Sequence, residues 1–170
     1  MIPETENPWK TFANQIGAKY QLSEDGTSLV TGSYKEFPFI LKMIFIQAAP
    51  KVNLFLTHFK ILLKNKCELK FKIYREGILQ KLTKLFGTQD IILNDRSFDK
   101  KYIVEGSHVE QVKKIISPDI RAKIIELGEL LMIFDGETFI YEQAGKIIDS
   151  SRLISIMELL IHLSEKIEEK

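Results

Sequence analysis

The chain has 170 residues, of which 45% are hydrophobic and 28% charged, and its formal net charge is +1. These values are typical of globular proteins, and they exclude disordered, collagen-like and mucin-like chains. The near-neutral balance gives no general reason to expect a nucleic acid as a partner. A chain of this length can bury a substantial core, so we expect one domain spanning residues 1–170.

The cysteine content and the apolar runs bear on the cellular compartment. Cys67 is the single cysteine, which excludes an internal disulfide and a cysteine-rich zinc site. Its neighbours alternate between apolar and charged residues, which favours a buried position on a strand. The N-terminus lacks the basic start and apolar stretch of a signal peptide, and no apolar run approaches the ~20 residues that span a bilayer. We therefore expect a cytoplasmic protein without a transmembrane segment.

The sequence pattern of the first half of the chain predicts one helix followed by strands. Asn7 can cap a helix, Pro8 fits its first position, and Gly17 can end it. A polar loop occupies residues 23–27. Four segments with strand-like composition follow, namely Ser28–Tyr34, 37–47, 52–63 and 66–74. Their short connections favour an antiparallel meander.

The second half mixes helices with strands. The patterns predict a helix over 78–86, a strand over 98–105, a short helix over 109–116, and a further helix from Ser117 to Gly128. Asp135-Gly136 lies between the apolar segments 130–134 and 138–141, which predicts a β-hairpin. A long helix begins at Asp149 or Ser150. Its apolar stripe consists of Leu153, Ile156, Leu160, Leu163 and Ile167.

This order of elements predicts an α+β fold. An antiparallel sheet, made of a four-strand meander, a later strand and a hairpin, would be packed by N-terminal, middle and long C-terminal helices. The alternative is a pleckstrin-homology-like barrel, which the number of strands and the closing helix suggest. The helical insertions argue against that alternative.

No local motif for catalysis, metal binding or a cofactor is present in the sequence, so no cofactor is expected. There is no phosphate-binding glycine loop, no nucleophile elbow and no closely spaced histidine pair. Asp95 and Asp99 could bind a divalent cation or act as acid and base, although turn formation is their ordinary role. His58 and Arg121 join these two aspartates as candidate catalytic residues if the fold brings all four together.

A basic segment between residues 60 and 84 is the clearest asymmetry of charge, since its lysines and arginine outnumber Glu68 and Glu76. On a solvated strand face, Lys66, Lys70 and Lys72 would form a cationic patch that could bind phosphates of nucleic acid or membrane, with Tyr74 as a stacking surface. The alternative interpretation is an ordinary solvated strand whose lysines discourage edge pairing.

Several short motifs resemble those of a loose group of uncharacterised prokaryotic proteins. The motifs are Trp9-x-x-Phe12-Ala13, Gly32-Ser33-Tyr34, Asp95-x-x-Phe98-Asp99 before Tyr102-Ile103-Val104, and Pro118-x-x-Arg121. The group combines a Gly-x-Tyr strand, an Asp-x-x-Phe-Asp motif and a C-terminal helix. The resemblance implies no known activity, so it transfers no functional residue.

The sequence therefore favours a non-enzymatic binding or protein-interaction module. The partner would be another protein, or a second copy of the chain bound through the stripe of the C-terminal helix. Two alternatives stay open. One is a small-ligand binder or enzyme with a site assembled from distant residues. The other is phosphate binding through the basic segment.

Overall fold

A computed structural model describes residues 7–75 and 88–169 and shows one nine-stranded antiparallel sheet with helices. The strands are β1 (Lys19–Leu22), β2 (Ser28–Tyr34), β3 (Phe37–Ala49), β4 (Val52–Leu62), β5 (Phe71–Arg75), β6 (Gln89–Asp90), β7 (Tyr102–Gly106), β8 (Leu131–Phe134) and β9 (Thr138–Ala144). The helices are α1 (Pro8–Ile16), α2 (Arg96–Asp99), α3 (Val109–Ile115), α4 (Pro118–Leu127) and α5 (Ser150–Glu168). The predicted helix over 78–86 lies outside the described residues.

The strand order is β1-β2-β3-β4-β9-β8-β5-β7-β6, and every pair of neighbouring strands is antiparallel. The α+β prediction is confirmed. The sheet is open, so the pleckstrin-homology-like barrel is wrong. The strand predicted over 66–74 does not lie beside β4, because the β8–β9 hairpin occupies that edge. The meander instead contains β1, which the sequence patterns did not predict.

The helices cover one face of the sheet. Asn7 caps α1 by accepting a hydrogen bond from the Trp9 amide at 3.0 Å, and Gly17 ends the helix with a left-handed backbone. The fully buried indole of Trp9 donates to the Ile147 carbonyl at 2.8 Å. This bond ties α1 to the segment that connects β9 with α5.

Helix α5 lies at the centre of the helical layer and contacts α1, α3 and α4. Asp149 caps it as predicted, because its carboxylate accepts from the Ser151 amide at 2.9 Å. All five residues of the predicted stripe are buried: Leu153, Ile156, Leu160, Leu163 and Ile167. The surface expected to serve self-association is therefore occupied by the chain's own core. Among the described helices, none has the length and apolar character needed to cross a membrane.

Two of the predicted strands begin later in the structure than the sequence patterns indicate. Residues 98–105 were predicted as one strand, but Phe98 and Asp99 belong to α2, and β7 begins at Tyr102. Asp95 explains the difference, since its side chain caps α2 by accepting from the Phe98 amide at 3.2 Å. Similarly, Cys67 precedes β5, and its amide donates to Gly136 in the turn between β8 and β9 at 2.8 Å.

Candidate functional site

His58 and Glu142 form a hydrogen-bonded contact on the face of the sheet opposite the core helices. They are directly opposite one another on β4 and β9, and His58 Nδ1 lies 2.8 Å from Glu142 Oε1. Their side chains are only 12% and 11% exposed. Cross-strand pairs of this kind stabilise a sheet. The sequence did not single out Glu142, because only the register of two distant strands brings it to His58.

Asp95, Asp99 and Arg121 do come together, around the start of α2. Asp99 accepts hydrogen bonds from two backbone amides, Leu93 at 3.2 Å and Asp95 at 3.0 Å. Asp95 Oδ2 accepts from Arg121 Nε at 2.9 Å. Arg121 also donates to the carbonyl of Ile116 at 2.9 Å. These bonds tie the loop before α2 to the start of α4, so the cluster has a structural role.

The charge state of Asp95 supports this structural role. Its pKa is lowered, first by the hydrogen bond from the Ser97 hydroxyl, then by the Phe98 amide and by Arg121. A carboxylate held in its ionised form, with its oxygens already accepting hydrogen bonds, is poorly suited to act as a general acid.

The fold keeps His58 away from this cluster. Phe59 and Ile61 point into the core beneath the helices, so the alternating His58 points to the other face. Strand β7, which lies next to α2, is four inter-strand steps from β4, a distance of roughly 19 Å. The four-residue site that the sequence allowed is therefore not assembled. In the described part of the chain, no group of three His, Cys, Asp or Glu residues could hold a metal ion.

The predicted cationic patch is also altered by the fold. Lys72 is buried, and its ammonium lies 3.2 Å from Glu105 Oε2 and 4.8 Å from the centre of the Tyr74 ring. The Tyr74 hydroxyl donates to Glu105 Oε1 at 2.8 Å. Lys66 is exposed, but it precedes β5, and Lys70 is half-buried. The expectation of a solvated Lys72 is wrong, because this side chain is only 8% exposed and its charge is paired with Glu105 on the neighbouring strand β7.

A cleft of about 390 Å³ contains Cys67 and His108. His108 Nδ1 lies 3.0 Å from the Ser107 hydroxyl, and Glu168, which also lines the cleft, accepts from the Asn65 amide at 2.9 Å. These polar groups are engaged in holding loops to helix ends.

The feature that stands apart is a two-stranded extension of the sheet. Strand β3 pairs with β2 only as far as Lys42, and β4 pairs with β9 only from Thr57 onward. Between these points β3 and β4 pair with each other, through a bulge near Gln47 and a turn at Pro50-Lys51. We call residues 43–55 the hairpin arm. At its base the Phe55 carbonyl accepts from the Gly145 amide at 2.8 Å, and beyond this bond the arm extends about 15 Å past its neighbours.

The hairpin arm is apolar and exposed. Phe45 and Phe55 are cross-strand neighbours with ring centroids 5.3 Å apart, and they are 56% and 52% exposed. Val52 is 47% exposed. The same end of the sheet carries exposed Leu22 and Ile148. Most of the large hydrophobic residues that the described chain exposes are thus gathered at one end.

The stretch of sequence that contains the hairpin arm carries charge of one sign. The sequence has no aspartate or glutamate between Glu36 and Glu68, but it has five lysines there. Lys42 and Lys60 are exposed on the face of the sheet opposite Phe45 and Phe55, and Lys51 lies at the turn of the arm. The two long apolar segments around Pro50 and this gap in acidic residues were the available signals in the sequence. Taken singly, each of the two apolar segments is typical of an ordinary strand.

Comparison with known proteins gives a likeness of fold. No protein-family model matches the sequence, and no curated protein sequence matches it. The structure is similar to the crystal structure of the mycobacterial trehalose monomycolate transport factor A, with a TM-score of 0.62 and 9% sequence identity. The match covers 92% of this chain and 90% of that one. The chain therefore has the fold of that transport factor over nearly its whole length.

Proposed function

We propose that this chain is a non-enzymatic binding module that docks onto a partner surface through the hairpin arm. The observation that carries the proposal is the exposed Phe45–Phe55 pair on a ribbon that extends past both neighbouring strands. Proteins rarely expose clustered large apolar side chains unless another surface covers them. The likeness to a transport factor concerns the fold, whereas the proposal rests on the arm.

The stability of the arm supports the same conclusion. An isolated two-stranded hairpin is marginally stable in water, and a third strand or a packed layer is normally needed. Within the arm, Phe45 and Phe55 lie on one face, whereas Ile44, Ile46 and Leu54 lie on the other. A partner surface that covers one of these faces would supply the missing layer.

The hydrogen-bond partners of the candidate catalytic residues favour a binding function over a catalytic one. Asp95, Asp99 and Arg121 hold a loop, and His58 is paired with Glu142 on the opposite face. The phosphate-binding alternative loses Lys72, which is buried against Glu105. Among the described residues, the arm gathers Phe45, Phe55 and Val52 at the surface, where each is about half exposed.

Site-specific photo-crosslinking in the source cells tests the proposal. A benzophenone amino acid replaces Phe55 in one variant and Ile92, an exposed apolar residue distant from the arm, in a control variant. We expect the Phe55 variant to form a discrete adduct, with lipid or protein, that the Ile92 variant does not form. Equal labelling from both positions would contradict docking through the arm.

A further inference from the structure

We propose that the connection between β9 and α5, residues 145–149, couples the hairpin arm to helix α1, an inference that rests on the docking role proposed above and concerns the regulation of that same site. A surface that covers the arm would stabilise the attachment of α1. A change that loosens α1 would in turn loosen the arm. The coupling lies within this chain, so it is the same whatever the arm binds.

Phe55 belongs both to the arm and to the attachment of this connection. Its ring is exposed beside that of Phe45, whereas its carbonyl accepts from the Gly145 amide at 2.8 Å. Leu56, the next residue of β4, forms a parallel bridge with Gly145. A partner that holds the Phe55 ring therefore acts on a residue whose backbone contacts the connection directly.

Bonds from Thr57 and Trp9 complete the attachment. The Thr57 hydroxyl donates to the Gly145 carbonyl at 2.7 Å and accepts from the Ile147 amide at 3.1 Å. The Ile147 carbonyl accepts from the Trp9 indole at 2.8 Å. We call these three bonds, together with the bond from the Gly145 amide to Phe55, the clamp. The clamp ties the connection to β4 on one side and to α1 on the other.

The connection depends on the clamp for its position. Residues 146–149, all of which the structure describes, belong to no helix or strand. Ile147 is the one buried side chain of this described stretch, and its neighbour Ile148 is 79% exposed. Because neither a sheet ladder nor a helix holds the backbone here, loss of the bonds to β4 would free the acceptor of the Trp9 indole to move.

Local opening supplies the two states that such coupling requires. Opening the base of the arm breaks the bonds of Phe55 and Thr57, and a freed connection no longer holds the carbonyl to which Trp9 donates. Each event therefore becomes easier once the other has occurred. By linkage, a partner that favours the closed arm favours the Trp9 contact by the same factor.

Gly145→Ala tests the coupling at the connection itself. Gly145 has a φ of 77°, and no atom of the described residues lies within 4 Å of an added Cβ, so alanine strains the clamp without altering a side chain of the arm or the core. In the free chain we expect the hydrogen-bonded amides of residues 43–55 to exchange about tenfold faster by mass spectrometry. Acrylamide should also quench Trp9, the single tryptophan, more strongly.

Gly128→Ala serves as the control for this variant. Gly128 follows α4 with a φ of 81° and has equally open surroundings among the described residues, but it lies outside the clamp. Its alanine variant should leave both the arm exchange and the quenching of Trp9 unchanged. If Gly145→Ala leaves both unchanged, or if the two variants alter them equally, the coupling does not exist.

A reciprocal test begins at α1. Trp9→Phe removes the indole that donates to Ile147 and should accelerate exchange in the arm about tenfold. Tyr102→Phe is the comparison, because it also removes a side-chain donor to a backbone carbonyl, that of Gly128 at 2.6 Å, but it lies on β7. Tyr102→Phe should leave the arm unchanged. Equal effects of the two variants on the arm would contradict the inference, since they would report a general loss of stability.

The opposite direction is tested from the arm. Phe55→Ser should increase the quenching of Trp9 by acrylamide, whereas Ile92→Ser, which removes an exposed apolar side chain elsewhere, should not. Quenching that Phe55→Ser leaves unchanged would mean that the arm does not communicate with α1.

The outcomes separate this inference from the proposed function, because these measurements use the free chain and require no partner. Absence of coupling combined with an arm-specific photo-crosslink would overturn the role of the clamp and leave docking through the arm intact. Coupling combined with equal labelling from Phe55 and Ile92 would support the clamp and overturn docking through the arm.

Discussion

Thr57 fastens the base of the hairpin arm to the connection that leads into α5. Its fully buried hydroxyl donates to the Gly145 carbonyl at 2.7 Å and accepts from the Ile147 amide at 3.1 Å. One side chain thus satisfies the buried Ile147 amide and also the carbonyl of the exposed Gly145. Buried polar groups that lose such partners incur a desolvation penalty.

We expect Thr57→Val to lower the free energy of unfolding by about 1–3 kcal/mol, because it preserves the volume of the side chain but leaves the buried Ile147 amide without a partner. Thr57→Ser is the matched control, since it keeps the hydroxyl and loses one methyl group, at a cost of about 1 kcal/mol. Urea unfolding of both variants measures the difference. If the valine variant is as stable as the serine variant, these two hydrogen bonds do not hold the connection.

Single residues also show where sequence patterns mislead. Lys72 alternates with apolar neighbours as a solvent-facing residue does, but it is buried and its charge is paired with Glu105. Asp95 and Asp99 have the spacing of a cation site, yet they accept hydrogen bonds from nearby amides. Side-chain type and spacing do not reveal whether a polar group is already engaged.

At the scale of elements, the two-residue turn between β2 and β3 is under conformational strain. Tyr34 and Phe37 are paired, and the two residues between them, Lys35 and Glu36, have φ values of 46° and 69°. Turns of this type favour Asn-Gly, because glycine adopts positive φ without a steric penalty. Both residues of this turn have side chains that disfavour that conformation.

We expect Glu36→Gly to be more stable than Glu36→Ala by about 1 kcal/mol, because only glycine relieves the left-handed backbone. Both substitutions remove the same hydrogen bond from Lys64, so comparing them isolates the backbone effect. Chemical denaturation of the two variants provides the measurement. Equal stability of the two would show that the turn relaxes without glycine.

Elements with local signals were predictable, and elements defined by distant pairing were not. Asn7-Pro8, Asp135-Gly136 and Asp149 marked two helix starts and a hairpin, because capping and turn formation involve residues close in sequence. The insertion of β9 beside β4 depends on pairing across a long stretch of chain, for which no local pattern exists. Strand β1 was missed because it has four residues only, which are largely exposed, so the alternation of Tyr20 and Leu22 with polar neighbours is too short to indicate a strand.

At the scale of the whole molecule, burial decreases from the central strands toward the hairpin arm. Strand β8 is buried along its whole length and is flanked by β5 and β9. The arm has no neighbouring strands and exposes Phe45 and Phe55. Local opening requires less free energy where fewer apolar contacts are broken. The molecule therefore combines a stable centre with an extension that opens separately.

Hydrogen exchange should reveal this division. We expect the amides of β8 to exchange only through global unfolding, with rates that rise steeply as denaturant is added, because opening this strand exposes the core. Hydrogen-bonded amides of the arm should exchange much faster and with little dependence on denaturant, because opening the arm exposes little new surface. Phe55→Ser should accelerate exchange in the arm and leave β8 unchanged, since the Phe45–Phe55 contact is confined to the arm. Equal protection of β8 and the arm would mean that the arm unfolds only together with the core, and its suitability as an independent docking element would then have to be abandoned.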